Sequence, residues 1–173
     1  MNKLMFTLVA LLAVAVGNAA DANASMTASS VNVHKARLME MPPFDRACVL
    51  IRHFETLHKP KHWPTIGFGH VVTKGENYTK RQYSSLEAER IMRKDLSHLC
   101  AYYRSYGTDS LLLAVLAYNV GSGRVNGSNV IKKLRQGDRS IHADYTAFCK
   151  YQGRRHPGLY RRRWLELELF YQP

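Results

Sequence analysis

The segment from Ile51 to His70 gathers the residues of this chain that could do chemistry: the carboxyl of Glu55, the hydroxyl of Thr65 and the imidazoles of His53, His58, His62 and His70. Cleaving a glycosidic bond needs an acid that protonates the leaving oxygen, and on the sugar's other face either a water activator or a nucleophile. A carboxyl flanked by apolar neighbours such as Phe54 and Leu57 suits the acid, because partial burial favours its protonated form. An ordinary surface glutamate fits the same pattern, so residues alone leave the role of Glu55 open. The four histidines do not follow a zinc pattern, since no HExxH or CxxC spacing is present, and neither a metal nor any other cofactor is expected.

These groups must be positioned by local elements. Asp45 can cap a helix whose apolar residues Cys48, Val49, Leu50, Ile51 and Phe54 recur at helical spacing, which puts Glu55 in its last turns before Pro60. From Pro64 to Thr73 the chain turns β-branched and aromatic and is broken by Gly67 and Gly69, which predicts a short hairpin carrying Thr65, Phe68 and His70. Ser84 to Glu87 reads as a capping box that opens a long amphipathic helix through Ala88, Ile91, Met92, Leu96 and Leu99 toward Tyr103. Asp109 to Val120 is apolar all round and reads as a buried helix stopped by Gly121 and Gly123. Further helices are expected over Ser128 to Gln136, over Asp138 to Tyr151 with Gly153 as cap, and from Pro157 onward. The fold class that follows is α+β, mostly α, with a small lobe carrying the hairpin, a linking helix and a helical second lobe.

The order of these pieces resembles one family. Residues 51–55 followed by Thr65-Ile66-Gly67-Phe68-Gly69-His70-Val71-Val72-Thr73-Lys74 resemble the active-site segment of phage-type lysozymes, glycoside hydrolase family 24. The resemblance continues through residues 86–96, similar to the family's interlobe helix, through 116–121 and 132–138, and into the glycine-leucine, paired-arginine and glutamate ending at 158–166. It covers about Phe44 to Phe170. The resemblance implies a lysozyme-like fold and a muramidase cutting the β-1,4 bond between N-acetylmuramic acid and N-acetylglucosamine. It also implies Glu55 as the general acid, Thr65 as a holder of the hydrolytic water, and Phe68, Tyr118 and Asn119 along the sugar cleft. His70 would form a structural ion pair with Asp95.

One departure bears on mechanism. Only nine residues lie between Glu55 and Thr65, fewer than in the family pattern, and none of Thr56 to Pro64 is acidic. The family's water-positioning aspartate has no counterpart. Its place is held by His58, Lys59, Lys61 and His62, and a neutral histidine, with an unperturbed pKa of ~6.5, could orient water beside Thr65; His62 is the candidate named for it. Two alternatives follow from the same gap: a lytic transglycosylase working with Glu55 alone, or a wall-binding module that kept the fold and lost the chemistry.

Composition bounds the setting. The chain has 173 residues with 46% hydrophobic and 22% charged, a globular balance that fits one domain. Lys3 followed by the apolar run Leu4 to Val16 and then small residues reads as a secretory signal peptide over 1–20, too short to span a bilayer. The Ala-, Ser- and Asn-rich stretch 21–43 reads as a flexible leader, with the lysozyme-like domain at 44–173 and a folded start between Val33 and Phe44. A secreted or periplasmic location follows. Cys48, Cys100 and Cys149 are then either one disulfide with one thiol left over or three buried thiols. The formal charge of +12 favours anionic polymers. For an exported chain that means bacterial peptidoglycan, with peripheral contact to an anionic wall or membrane, rather than nucleic acid. The arginines at 154, 155, 161, 162 and 163 read mostly as a solvated face pairing with Glu166 and Glu168. No long exposed heptad is present, so a monomer is expected.

Overall fold

The computed structural model describes residues 37–172, so the signal peptide expected at 1–20 and most of the leader expected at 21–43 lie outside the described residues. The first long helix, α1, spans Pro43–Phe54. It begins earlier than a cap at Asp45 would allow. Proline is preorganised for the first helical turn, and Pro42-Pro43 set the start, which leaves Asp45 in that turn, where its charge favours the helix N-terminus. The described residues directly ahead of α1, 37–42, are packed onto the domain. Residues 37–40 are helical and Leu38 is buried in the core. Arg46, itself buried, donates to the carbonyls of Leu38, Met39, Met41 and Leu169 at 2.9–3.1 Å. One side chain thus fastens residues 38–41 to a segment 123 residues further along the chain.

Past α1 come a 3-10 turn at Pro60–His62 and the hairpin of β1 (Thr65–Ile66) and β2 (His70–Val71), paired antiparallel with Thr65 opposite Val71. Two glycines make its crown possible. Gly67 has φ +55°, and a Cβ there would stand 3.2 Å from Ala88 Cα, tighter than ordinary contact, so the hairpin lies directly on the backbone of the next helix. Under it, Ile66, Tyr83 and Ile91 form a small core of their own.

That next helix, α2, spans Ser85–Tyr102. Ser84 Oγ accepts from the Glu87 amide at 3.3 Å while the Glu87 carboxylate accepts from the Ser84 amide at 2.9 Å, the reciprocal capping box read in the sequence. After a 3-10 stretch at Arg104–Asp109, α3 (Ser110–Val120) runs through the centre of the second lobe. Leu112 to Ala117 are at most 4% exposed, consistent with an apolar helix that is covered on every side. Short helices α4 (Ser122–Asn126), α5 (Asn129–Arg135) and α6 (His142–Thr146) follow, then the last helix, α7 (Pro157–Phe170). The architecture is mostly helical with small hairpins, the α+β class expected.

The continuous helix expected from Asp138 to Tyr151 is not formed. α6 covers only five residues of it, and the chain then makes a second hairpin, β3 (Lys150–Tyr151) with β4 (Arg154–Arg155). Gln152 and Gly153 both take positive φ, +49° and +77°, the two-residue turn whose twist matches an antiparallel pair. Gly153 is therefore a hairpin residue and not a helix cap. All three cysteines are free: Cys48 and Cys149 are buried and Cys100 is half-buried. Burial pushes the Cys48 thiol up to about 11, with Asp45, Glu89 and Cys100 adding to the rise.

Candidate active site

Glu55 is the first residue turned out of α1. Its amide still donates to the Ile51 carbonyl at 2.8 Å, but its backbone is extended (φ −99°, ψ 126°), so the side chain leaves the helix end instead of its flank. Phe54 borders it, with the Arg162 guanidinium 5.3 Å from the Phe54 ring centroid. Arg162 Nη1, from α7, donates to Glu55 Oε1 at 2.6 Å, and Asn119 Nδ2, from the end of α3, donates to the same oxygen at 3.3 Å. Oε2 has no hydrogen-bond partner among the described residues. It faces Gly69, where a Cβ would come within 3.8 Å of it, and Gly69 has φ +103°. The hairpin crown therefore approaches the carboxyl without a side chain in between.

Arg162 is only 2% exposed and is shared. Its Nε donates to Glu166 Oε1 at 3.0 Å, while Arg163 Nη2 lies 3.2 Å from that oxygen and donates to Asn119 Oδ1 at 2.8 Å. Tyr145, fully buried, donates its hydroxyl to Glu166 Oε2 at 2.8 Å. Two carboxylates and two guanidiniums thus form one enclosed network that holds Glu55 from one side and Asn119 from the other. Burial alone would lower the Arg162 guanidinium, but Glu166 and Glu55 outweigh it and hold it above its ordinary value. Burial pushes the Tyr145 phenol well up, reinforced by Glu166, so it remains a donor. Arg162 and Arg163 are thus not part of a solvated arginine face. Reading by charge missed them, together with Glu166 and Tyr145, as the support of the site; the signal was their place in the glycine-leucine, arginine and glutamate ending.

The hairpin is tied to the second lobe by Tyr118, whose hydroxyl donates to the Phe68 carbonyl at 2.8 Å. Burial raises this phenol strongly, with Asp95 and Glu55 adding, so it too stays protonated. Phe68 is 7% exposed and packs in the main core with Arg52 above its ring. His70 Nδ1 lies 2.8 Å from Asp95 Oδ2, and its Nε2 faces Glu76 Oε2 at 3.3 Å without hydrogen-bond geometry. Hairpin and α2 meet through this imidazole.

Thr65 is half-buried on β1. The two loop histidines differ. His62 is exposed, and its Nδ1 accepts from the Lys59 amide at 3.1 Å, closing the 3-10 turn. His58 is half-buried; its Nδ1 is 3.0 Å from the Thr56 carbonyl, an acceptor, so Nδ1 carries the proton and Nε2 is bare. Its amide donates to the Gly67 carbonyl at 2.8 Å, which fastens the loop to the hairpin. Burial lowers the His58 imidazole, as does His62, with Glu55 opposing, so His58 is neutral at pH 7 and lies within reach of the Glu55 charge. Among the described residues no three His, Cys, Asp or Glu side chains are grouped to hold a metal ion.

Comparison with known proteins decides the family. The phage lysozyme family model matches residues 53–166, a span that begins beside Glu55 and ends at Glu166. The chain belongs to the phage lysozyme family. Two solved structures share the fold of this phage lysozyme family member. The muramidase domain of SpmX from Asticaccaulis excentricus superposes with a TM-score of 0.57 at 20% identity, over 73% of this chain and 95% of that one. The endolysin from Escherichia coli O157:H7 phage FAHEc1 superposes with a TM-score of 0.59 at 20% identity, over 76% of this chain and 94% of that one. No curated protein sequence matches significantly. Membership supports a peptidoglycan hydrolase acting on the cell wall. No described helix is long and apolar enough to cross a membrane.

Proposed function

We propose that this family member is an exported muramidase that hydrolyses the β-1,4 bond between N-acetylmuramic acid and N-acetylglucosamine, with Glu55 as general acid. The observation that carries the reading is the asymmetry of the Glu55 carboxyl. Both donors, Arg162 and Asn119, take Oε1, which leaves Oε2 to carry the proton and deliver it to the glycosidic oxygen. Breaking that bond develops positive charge at the anomeric carbon, and water must be brought to it.

In place of an aspartate, His58 takes the proton from that water at Nε2 while the Thr65 hydroxyl orients it. The histidine is neutral, its tautomer is fixed by the Thr56 carbonyl, and its loop is fastened to the hairpin at Gly67. His62, capping its own turn in solvent, is the weaker choice of the two. Phe68 and Tyr118 shape the cleft by fixing the hairpin against α3, and Asn119 offers its amide between Glu55 and Arg163. The signal peptide at 1–20 would direct the chain out of the cytoplasm, and a mature N-terminus near Asp21 on sequencing of secreted material would support that step.

The absence of any acidic residue from Thr56 to Pro64 favours one competing reading, a lytic transglycosylase in which the substrate's own 6-hydroxyl attacks. Mass spectrometry of digested peptidoglycan separates the two: reducing muramic ends support hydrolysis, and 1,6-anhydro ends would replace it by the transglycosylase. Zymography of Glu55→Gln should show no clearing, whereas full clearing removes Glu55 from the mechanism. His58→Ala should slow turnover with Glu55 intact. A His58→Ala rate equal to that of the parent assigns the water to another group.

A further inference from the structure

At the end of α3 opposite Glu55, a cavity of about 570 Å³ opens between the end of α2 and α5, within the size range of small-ligand clefts, roughly 300–1,000 Å³. Asp109 lines it at the start of α3, and Asn119, which bonds Glu55, lies ten residues further along, about 15 Å of helix. The cavity is therefore separate from the site built on Glu55.

Its walls are tyrosines. Tyr102 is 60% exposed, yet it is not loose: Asn126 Nδ2 donates to its hydroxyl at 2.7 Å, and its ring meets that of Tyr103 edge to face at 4.9 Å. Tyr103 in turn donates to Asn126 Oδ1 at 3.1 Å. Tyr106, across the cavity, accepts from Arg135 Nε at 3.0 Å. Leaving an aromatic face in water forgoes the gain from burying it. A ring held by a hydrogen bond and an edge contact has little rotamer freedom left to lose on binding. Rigid aromatic faces beside an amide and a guanidinium suit a ligand with apolar CH faces and carbonyl acceptors.

We propose that this cavity is a second binding site for chains of N-acetylated amino sugars. Pyranose faces rest on Tyr102 and Tyr106, and Arg135 donates to an acetamido carbonyl. The inference rests on the reading that wall glycan is the substrate of the Glu55 site: a strand held some 15 Å from the cleft by the same rigid lobe keeps the enzyme on an insoluble polymer between cuts.

The test is a titration of the 15N-labelled full chain carrying Glu55→Gln with tetra-N-acetylchitotetraose, read by amide shifts. Two groups of shifts are expected, one around Gly69 and Asn119 and one around Tyr102, Asn126 and Arg135. Tyr102→Ala on this background, its fold checked by an unchanged melting temperature, should weaken the second group roughly tenfold and spare the first. Tyr102→Phe, which keeps the ring and loses the tether, should fall between. Shifts confined to Gly69 and Asn119 overturn the second site and leave the muramidase reading standing. Shifts confined to the Tyr102 group support the second site and count against the muramidase. A muramyl stem peptide that shifts the Tyr102 group where the sugar does not would also overturn the proposal, and so would a Tyr102→Ala variant that binds as the parent does at both sites.

Discussion

Replacing Glu166 by glutamine should be among the most destabilising single changes in the chain, although it alters shape hardly at all. Glu166 is fully buried and its Oε1 lies 3.0 Å from Arg162 Nε and 3.2 Å from Arg163 Nη2. With Glu55 the network holds two negative and two positive groups. Glu166→Gln leaves two guanidiniums, exposed by 2% and less, facing one carboxylate. Removing one partner of a buried pair costs about 3–5 kcal/mol, because the remaining charge is left uncompensated. For a folded body of this size, each kcal/mol moves Tm by roughly 3–5 °C, so melting followed by circular dichroism should drop by roughly 10–20 °C. Charge imbalance, not shape, is the claimed cause. Arg163→Met added to Glu166→Leu restores the balance, leaving Arg162 to Glu55, and should recover at least about 2 kcal/mol of the loss. A Glu166→Gln protein melting within a few degrees of the parent would refute the reasoning, as would a double variant no more stable than the single one.

Four smaller effects can be measured alongside. His70→Ala should cost about 1 kcal/mol in urea unfolding, since it unpairs Asp95 at a site still partly open to solvent, and should leave α2 formed by circular dichroism. Ser84→Ala removes the cap acceptor of α2 and should cost about 1 kcal/mol. Gly69→Ala should fold poorly or lose activity, because φ +103° is strained for any side chain and the new methyl would stand 3.8 Å from Glu55 Oε2; clearing equal to the parent would count against that oxygen as the proton carrier. Acid should destabilise the fold in a defined window. Arg81 and the Ser84 hydrogen bonds hold Glu87 down to about 2, and Glu76, Asp138 and Asp144 are also lowered by their hydrogen bonds. Carboxyls depressed in the folded state stabilise it above their unfolded values and lose that contribution as pH falls through the folded ones. Melting temperature should therefore decline from about pH 4.5 toward about pH 2, and Glu87→Gln should flatten that decline.

What could be read from the sequence was whatever is decided within a few residues. The capping box at Ser84 and Glu87, the apolar α3 and the glycine-marked hairpin each depend on neighbours up to six positions away, and each is present. The stretch from Asp138 to Tyr151 failed for an instructive reason. Ile141, Tyr145 and Cys149 are buried four residues apart, as a helix would bury them. The chain meets the same pattern with one short helix, a turn and the start of a hairpin, because Gln152 and Gly153 accept positive φ and the Cys149 carbonyl accepts from the His156 amide at 2.8 Å. Periodicity recorded which residues face inward, not which backbone brings them there.

The site separates in the same way. Glu55 and Thr65 were singled out by the family resemblance of one local segment, whereas the side chain that bonds Glu55 lies 107 residues along the chain. A run of three arginines among exposed neighbours reads as solvated, since burying a guanidinium is unfavourable unless it is paired. The pairing is supplied by Glu166 one turn on, which charge spacing did indicate, and by Glu55 from the opposite lobe, which it could not assign. The helix that looks most suited to solvent is thus the one that joins the lobes at the carboxyl. Because Arg162 bonds Glu55 and Glu166 with different nitrogens, displacing α7 would move the Glu55 carboxyl itself. Packing of α7 and placement of the Glu55 carboxyl are therefore coupled, and variants of Tyr145, which reaches Glu55 only through Glu166 and Arg162, should change activity if Glu55 is the acid proposed.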